Sequence, residues 1–179
     1  MNDDLHLGPN GANLIKSFEG CRLTAYIDPP GLSIGWGHSG RNAPPSVSKG
    51  MTITQKQADQ YFLDDMVKYE NYVKAYVSVP LNQNQFDALC SLCFNIGPGK
   101  FRTFVCSSGL NRGDYSKVAE CMKVYNTASG RVLDGLTRRR AAEGALFNRP
   151  VSKPSVTNII HQVKVSAISL NNKLKGLFA

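Results

Sequence analysis

Glu19 and Asp28 stand nine positions apart on either side of a change in hydrophobic period, and no other pairing in this chain offers chemistry so plainly. Leu14, Ile15 and Phe18 fall on one helical face and Gly20 stands where a helix stops, so the spacing predicts Glu19 on a helix C-terminus. There the helix dipole disfavours a negative charge, and partial burial beside Phe18 acts in the same direction, so both favour the protonated acid. Past Gly20 the period becomes two. Leu23, Ala25 and Ile27 alternate, as do Leu32, Ile34 and Trp36, and Pro29-Pro30-Gly31 between them predicts a turn with proline and glycine in the type II positions. Asp28 lies at the mouth of that hairpin, where water keeps it ionised. One carboxyl pushed toward protonation beside another left charged is the pair that glycosidic bond cleavage needs.

The rest of the chain reads as the scaffold for this pair. Thr54 and Gln57 make a capping pattern, and Ala58, Tyr61, Phe62, Asp65, Tyr69, Val73 and Tyr76 recur at helical spacing, predicting a helix of about 20 residues. Its tyrosines read as packing and hinge residues rather than a stacking platform. Asn82 and Gln85 cap a further helix whose buried face is Phe86, Leu89, Cys90, Cys93 and Phe94, ended by Gly97-Pro98. Phe101, Phe104 and Val105 form a short apolar segment. Asp114 is expected to cap a helix bearing Val118, Ala119, Met122 and Tyr125, and Thr137 another bearing Ala141, Ala142, Ala145 and Leu146. Residues 1–10 read as a loose arm, and Ser39 to Gly50 as a loop.

The run F-E-G-C-R-L-T-A-Y-x-D-P-x-G, followed by I-G-W-G-H, resembles the phage-type lysozymes, glycoside hydrolase family 24, which carry a glutamate, an aspartate nine residues on and a threonine six residues after that. Ser91 to Gly97 and Gly135 to Glu143 resemble two later motifs of the same enzymes, so the resemblance covers residues 11–149. It implies an α+β, lysozyme-like fold: mostly helical, with a small β-hairpin lobe and a larger helical lobe joined by a long helix, and the active-site cleft between them. It implies Glu19, Asp28 and Ser33 as the catalytic residues, Ser33 standing five residues after Asp28 where the family has threonine at six. Serine keeps the hydroxyl and loses the methyl. No metal or organic cofactor is implied.

Arg138-Arg139-Arg140 has two readings. Three cations at a helix start make a solvated face, at some cost against the dipole; alternatively one approaches Glu19, and the resemblance selects Arg139. An arginine partner opposes the effect of burial on the glutamate. His38 reads as a structural hydrogen-bonder near the cleft, since it lacks the Ser or Cys partner of a triad. Trp36 reads as packing beneath the hairpin. The five cysteines include Cys90 and Cys93 on one apolar helical face, which reads as core thiols in a reducing compartment rather than a metal or redox site.

The 21 Lys+Arg against 13 Asp+Glu give a formal charge of +8, which attracts anionic polymers or surfaces. No nucleic-acid motif accompanies the charge, so nucleic acid is the weakest of these partners. The polar, acidic start has no apolar run to act as a signal peptide. From Gly144 to Ala179 there is no acidic side chain, and after a linker at 150–155 an apolar stripe from Val156 to Leu177 keeps Lys164, Lys173 and Lys175 largely outside it. This is either a docked terminal helix or a basic amphipathic helix for contact with anionic membrane through residues 156–178.

The domain reading is therefore an arm at 1–10, a lysozyme-like catalytic domain at 11–149, and a linker with a basic amphipathic helix at 150–179. The functional expectation is a monomeric endolysin that hydrolyses the β-1,4 bond between N-acetylmuramic acid and N-acetylglucosamine in peptidoglycan, with inversion. It would accumulate in the host cytoplasm and reach the wall after holin-type release. The competing readings are a lytic transglycosylase, which can work with one glutamate, and a non-catalytic wall-binding or membrane-permeabilising protein.

Overall fold

The computed structural model describes residues 1–40 and 44–151. The amphipathic segment expected at 156–178 lies outside them, and the elements that follow all belong to one compact unit, Met1–Arg149. Its order is α1 (Pro9–Glu19), β1 (Arg22–Asp28), β2 (Gly31–Gly35), α2 (Gln55–Tyr76), α3 (Gln83–Ile96), α4 (Pro98–Ser107), a 3-10 turn at Leu110–Arg112, α5 (Val118–Met122), β3 (Thr127–Ala128), β4 (Arg131–Val132) and α6 (Asp134–Phe147).

The small lobe is built on the antiparallel β1–β2 hairpin, with Asp28 paired to Gly31 and Tyr26 to Ser33. Ala25 N donates to Met51 O and Ile53 N to Leu23 O, so residues 51–53 extend the hairpin edge. The corner differs from the expected type II turn. Pro29 and Pro30, joined by a cis peptide bond, are the two connecting residues, and Gly31 belongs to β2 with no positive φ. The expected apolar face of β1 is also absent: Leu23 and Ile27 are exposed, because this lobe has only a small core of Ile34, Ile53 and Ala58 to offer them.

α2 runs 22 residues, and its capping box is in place: Gln57 N donates to Thr54 Oγ1 while Gln57 Oε1 accepts from Thr54 N. Asn82 and Gln85 cap α3 in the same reciprocal way. α3 is the axis of the larger lobe, with Phe86, Ala88, Leu89, Cys90, Leu92 and Cys93 all fully buried. Around it Phe101, Phe104, Leu110, Met122 and Phe147 complete one contiguous core. The α2 tyrosines pack as expected, Tyr69 edge-on to Phe94 at 5.1 Å and Tyr76 against Phe101 at 6.4 Å between ring centroids. The buried Cys90 and Cys93 thiols are both pushed up by desolvation, Cys93 to about 12, so neither is a thiolate near neutral pH.

Three other elements depart from expectation. The first residues are anchored rather than loose: Asn2 is buried, donates to Val77 O and Val79 O and accepts from Leu81 N, while Glu70 accepts from Leu7 N and contacts His6. Asp114 accepts from Ser116 instead of capping α5, a helix of only five residues. α6 begins at Asp134, three residues before Thr137, whose hydroxyl turns back to Leu133 O. The three arginines therefore lie inside α6, clear of its first residue. The buried face of α6 also differs, since Ala141 and Ala145 are exposed and the side is taken by Arg139, Arg140, Glu143, Leu146 and Phe147.

Candidate active site

Glu19 is the last residue of α1, and the helix holding it is fixed at both ends. Gly8, at the N-cap, has no side chain to offer, so buried Asp87 of α3 supplies the missing acceptors: Oδ1 takes Gly8 N at 2.8 Å and Oδ2 takes Gly11 N at 2.9 Å. Gly11 permits that approach, since a Cβ there would lie 2.7 Å from the Asp87 Cβ. At the other end Glu19 Oε1 accepts from Arg139 Nη1 in a short ion pair.

Arg139 is itself buried within a charged network. Its Nε donates to Glu143 Oε1 at 3.2 Å, and that oxygen also accepts from Arg140 Nη2 at 2.9 Å and Ser91 Oγ at 2.7 Å. Its guanidinium carbon lies 5.6 Å from the Phe18 ring centroid and 5.9 Å from that of Phe94. Burial pushes the Glu143 carboxyl up, with Arg140, Ser91 and Arg139 opposing it, and desolvation pulls the Arg140 guanidinium down. One buried carboxylate thus faces two buried guanidiniums, and the Glu19 carboxyl meets this network at the solvent edge. Of the two readings of the arginine run, Arg139 meets Glu19, while Arg138 is exposed.

Asp28 ends β1 and is exposed, while Ser33 on β2 is fully buried. Ser33 Oγ donates to Asp28 Oδ2 at 2.7 Å. The hydroxyl, shut off from solvent, acts on the carboxylate and leaves Oδ1 open to water. Tyr26 pairs its backbone with Ser33. Its phenol is pushed above its ordinary value first by burial and then by the negative charge of Asp28, with Glu19 adding to it and Arg22 and Ser33 opposing.

His38 is buried beside this site rather than in it. Its Nδ1 lies 2.9 Å from Asp65 Oδ2, its Nε2 2.8 Å from Pro45 O, and its ring 4.8 Å from that of Tyr61. A carbonyl can only accept, so Nε2 is the donor in the contact with Pro45 O. Both ring nitrogens are engaged, which makes His38 a brace between the loop after β2 and α2. Desolvation pushes Asp65 up, with His38 opposing. Asp59, Asp65 and Glu143 received no role from the sequence alone. The spacing of Glu143, three after Arg140 and four after Arg139, was the available signal.

A concavity of about 750 Å³ lies between Asn95 and Ile96 at the end of α3, Lys100 of α4, Ser129 of the β3–β4 hairpin and Leu136 of α6. The ring of Phe94, the residue before Asn95, packs on Arg139.

A model of phage lysozymes matches residues 16–143, most of the chain and all five residues singled out by the sequence. The chain belongs to the phage lysozyme family. Among its relatives, the endolysin of Lactococcus phage c2 is 46% identical over 158 residues, 86% of this chain and 65% of that protein. The chain thus spans about two thirds of that relative's length. The endolysin of Salmonella phage P22 is 40% identical over 144 residues, covering 80% of this chain and 98% of the P22 protein. Among solved structures, the muramidase domain of SpmX from Asticaccaulis excentricus superposes with a TM-score of 0.73 at 37% identity, over 82% of this chain and 99% of that domain. A point mutant of P22 lysozyme gives 0.72 at 39% identity, over 81% of this chain and 99% of that one. A helical lobe, a hairpin lobe and a long α2 are therefore the phage lysozyme architecture as this member builds it.

Proposed function

We propose that this phage lysozyme family member is a muramidase endolysin, cleaving the β-1,4 bond between N-acetylmuramic acid and N-acetylglucosamine in peptidoglycan. The observation that carries the reading is the Ser33–Asp28 hydrogen bond on the hairpin that follows, after two residues, the helix ending in Glu19. Glu19 donates its proton to the glycosidic oxygen as the bond from the anomeric carbon breaks. Arg139 stabilises the glutamate so formed. Water held by Asp28 attacks the anomeric carbon from the opposite face, and its proton passes to Asp28. Ser33 positions the carboxylate rather than the water itself. Exchange with solvent then restores a protonated Glu19 and an ionised Asp28. The outcome is inversion, which needs carboxyls about 6.5–9.5 Å apart to admit that water.

The relatives' names support the substrate, and Lys100 beside the concavity is a cation suited to an acidic group of the wall polymer. In this reading the enzyme passes to the wall through a holin-type lesion. Lysis by the chain expressed alone, without a lesion, would contradict that route. A lytic transglycosylase needs no second carboxylate, so the Asp28–Ser33 pair weighs against it. Proton NMR of the first products from soluble glycan tests the mechanism: α-anomeric muramic acid is expected, whereas β-anomers or anhydro ends would overturn inversion by water.

A further inference from the structure

The chain's single tryptophan marks a second convergence, outside the carboxylate pair. Trp36 directly follows β2 and packs against both the large helical core and the small Ile34–Ile53–Ala58 cluster. Its indole Nε1 donates to Asp59 Oδ1 at 2.8 Å. The same oxygen accepts from Lys16 Nζ at 2.6 Å and from Gln55 Nε2 at 3.2 Å. The Lys16 ammonium also lies 5.1 Å from the ring centroids of both Trp36 and Phe62. One carboxylate oxygen therefore joins α1, the end of the hairpin and the first turns of α2. On α1 the contact is made three residues before Glu19, and on the hairpin strand three residues after Ser33.

A joint at this place has a physical task. Only Gly20 and Cys21 separate α1 from β1, and Gly20 adopts φ 69°, a conformation open to glycine that does little to fix the direction of the following strand. The angle between the helix carrying Glu19 and the hairpin carrying Asp28 must be set by contacts elsewhere. Asp59 is the fifth residue of α2, and α2 is the longest helix of the described residues.

We propose that Asp59 is a positioning residue, whose single oxygen holds Lys16 and Trp36 together and so sets the placement of Glu19 against Asp28 and Ser33. This rests on the reading of Glu19 and Asp28 as acid and water-holder. A misplacement of about 1 Å between reacting groups can cost about 100-fold in rate, so a joint remote from the substrate can act on kcat.

The test uses the full chain with Asp59→Ala, Asp59→Asn, Lys16→Met and the Asp59→Ala/Lys16→Met double variant, assayed on soluble glycan strands well below each variant's melting temperature. Asp59→Ala should lower kcat about 10-fold or more with KM within about 2-fold, the mark of lost transition-state placement. Asp59→Asn, which keeps an acceptor oxygen for the indole, should recover part of that loss. The double variant should be no slower than the slower single variant, because both remove one joint. The emission of Trp36 should shift in Asp59→Ala, reporting the lost acceptor. Wild-type kcat in folded Asp59→Ala, a loss that appears only near its melting temperature, or full multiplication of the two single effects would each overturn the proposal. Should Asp59→Ala fail to fold, Asp59→Asn and Lys16→Met decide, and wild-type kcat in both refutes it. Hydrolysis retained by Glu19→Gln would instead remove the parent reading; an inactive Glu19→Gln beside a fully active Asp59→Ala would remove this inference alone.

Discussion

Ser33 shows what a single hydroxyl contributes when it is buried under an exposed carboxylate. Its bond to Asp28 Oδ2 fixes the rotation of the carboxyl, and a hydrogen bond to a charged acceptor is worth about 1.5–3 kcal/mol. Ser33→Ala is therefore expected to lower kcat roughly 10- to 100-fold with little change in KM, and Ser33→Thr to retain most activity only where the added methyl finds room. Steady-state kinetics on soluble glycan strands checks both. Arg139 acts on stability as well as chemistry. Arg139→Met leaves Glu143 buried with one guanidinium fewer and Glu19 without its partner, so chemical denaturation should report a loss of about 3–5 kcal/mol. Arg139→Lys keeps the charge but cannot reach Glu19 and Glu143 with one planar fork, and should recover only part of that loss.

Among the elements, α1 depends most on other parts of the chain. Asp87→Ala removes both acceptors at its N-terminus, and thermal unfolding should show a loss of about 1–3 kcal/mol, since the two amides would be left without partners. The Asp59 joint adds a pH dependence. The hydrogen bond from Lys16, then that from Trp36, holds the Asp59 carboxyl below its ordinary 3.8. A depressed folded value means its contribution is complete above about 3.8 and is lost as pH falls through the lower folded value. The gap in melting temperature between wild type and Asp59→Asn should thus narrow below pH 3.8 and stay constant above it. Helices with reciprocal caps, α2 and α3, were legible from Thr54-x-x-Gln57 and Asn82-x-x-Gln85, because those signals are local. The start of α6 was not, since Leu133 offers no capping side chain and Thr137 drew the boundary inward. Nor was the anchoring of residues 1–8, which relies on Glu70, Asp87 and backbone groups more than 60 positions away.

At the scale of the molecule, the sequence singled out the candidate carboxylates by pattern and resemblance, and the Ser33 hydroxyl and Arg139 by resemblance. It did not reveal how they are held. Ser91 of α3, Arg139 and Glu143 of α6 and Glu19 of α1 form one chain of contacts across three helices, and Lys16, Trp36 and Asp59 meet from α1, the end of the hairpin and α2; such convergence has no period to read. The formal charge of +8 belongs to this scale too, and attraction to an anionic wall should weaken as salt is raised, visible as a KM on whole cell walls that climbs with ionic strength while kcat on soluble strands holds steady. Removing residues 155–179 tests the amphipathic tail: leakage of anionic liposomes should disappear with glycan hydrolysis intact, and unchanged leakage would refute a membrane role. The central claim rests on Glu19 as the acid. Mass spectrometry of the soluble fragments released from purified peptidoglycan by the wild type and by Glu19→Gln, with folding verified by circular dichroism, tests it most directly. Hydrated, reducing muramic-acid ends that vanish in the variant are predicted, and the same fragments at an undiminished rate from folded Glu19→Gln would contradict the account.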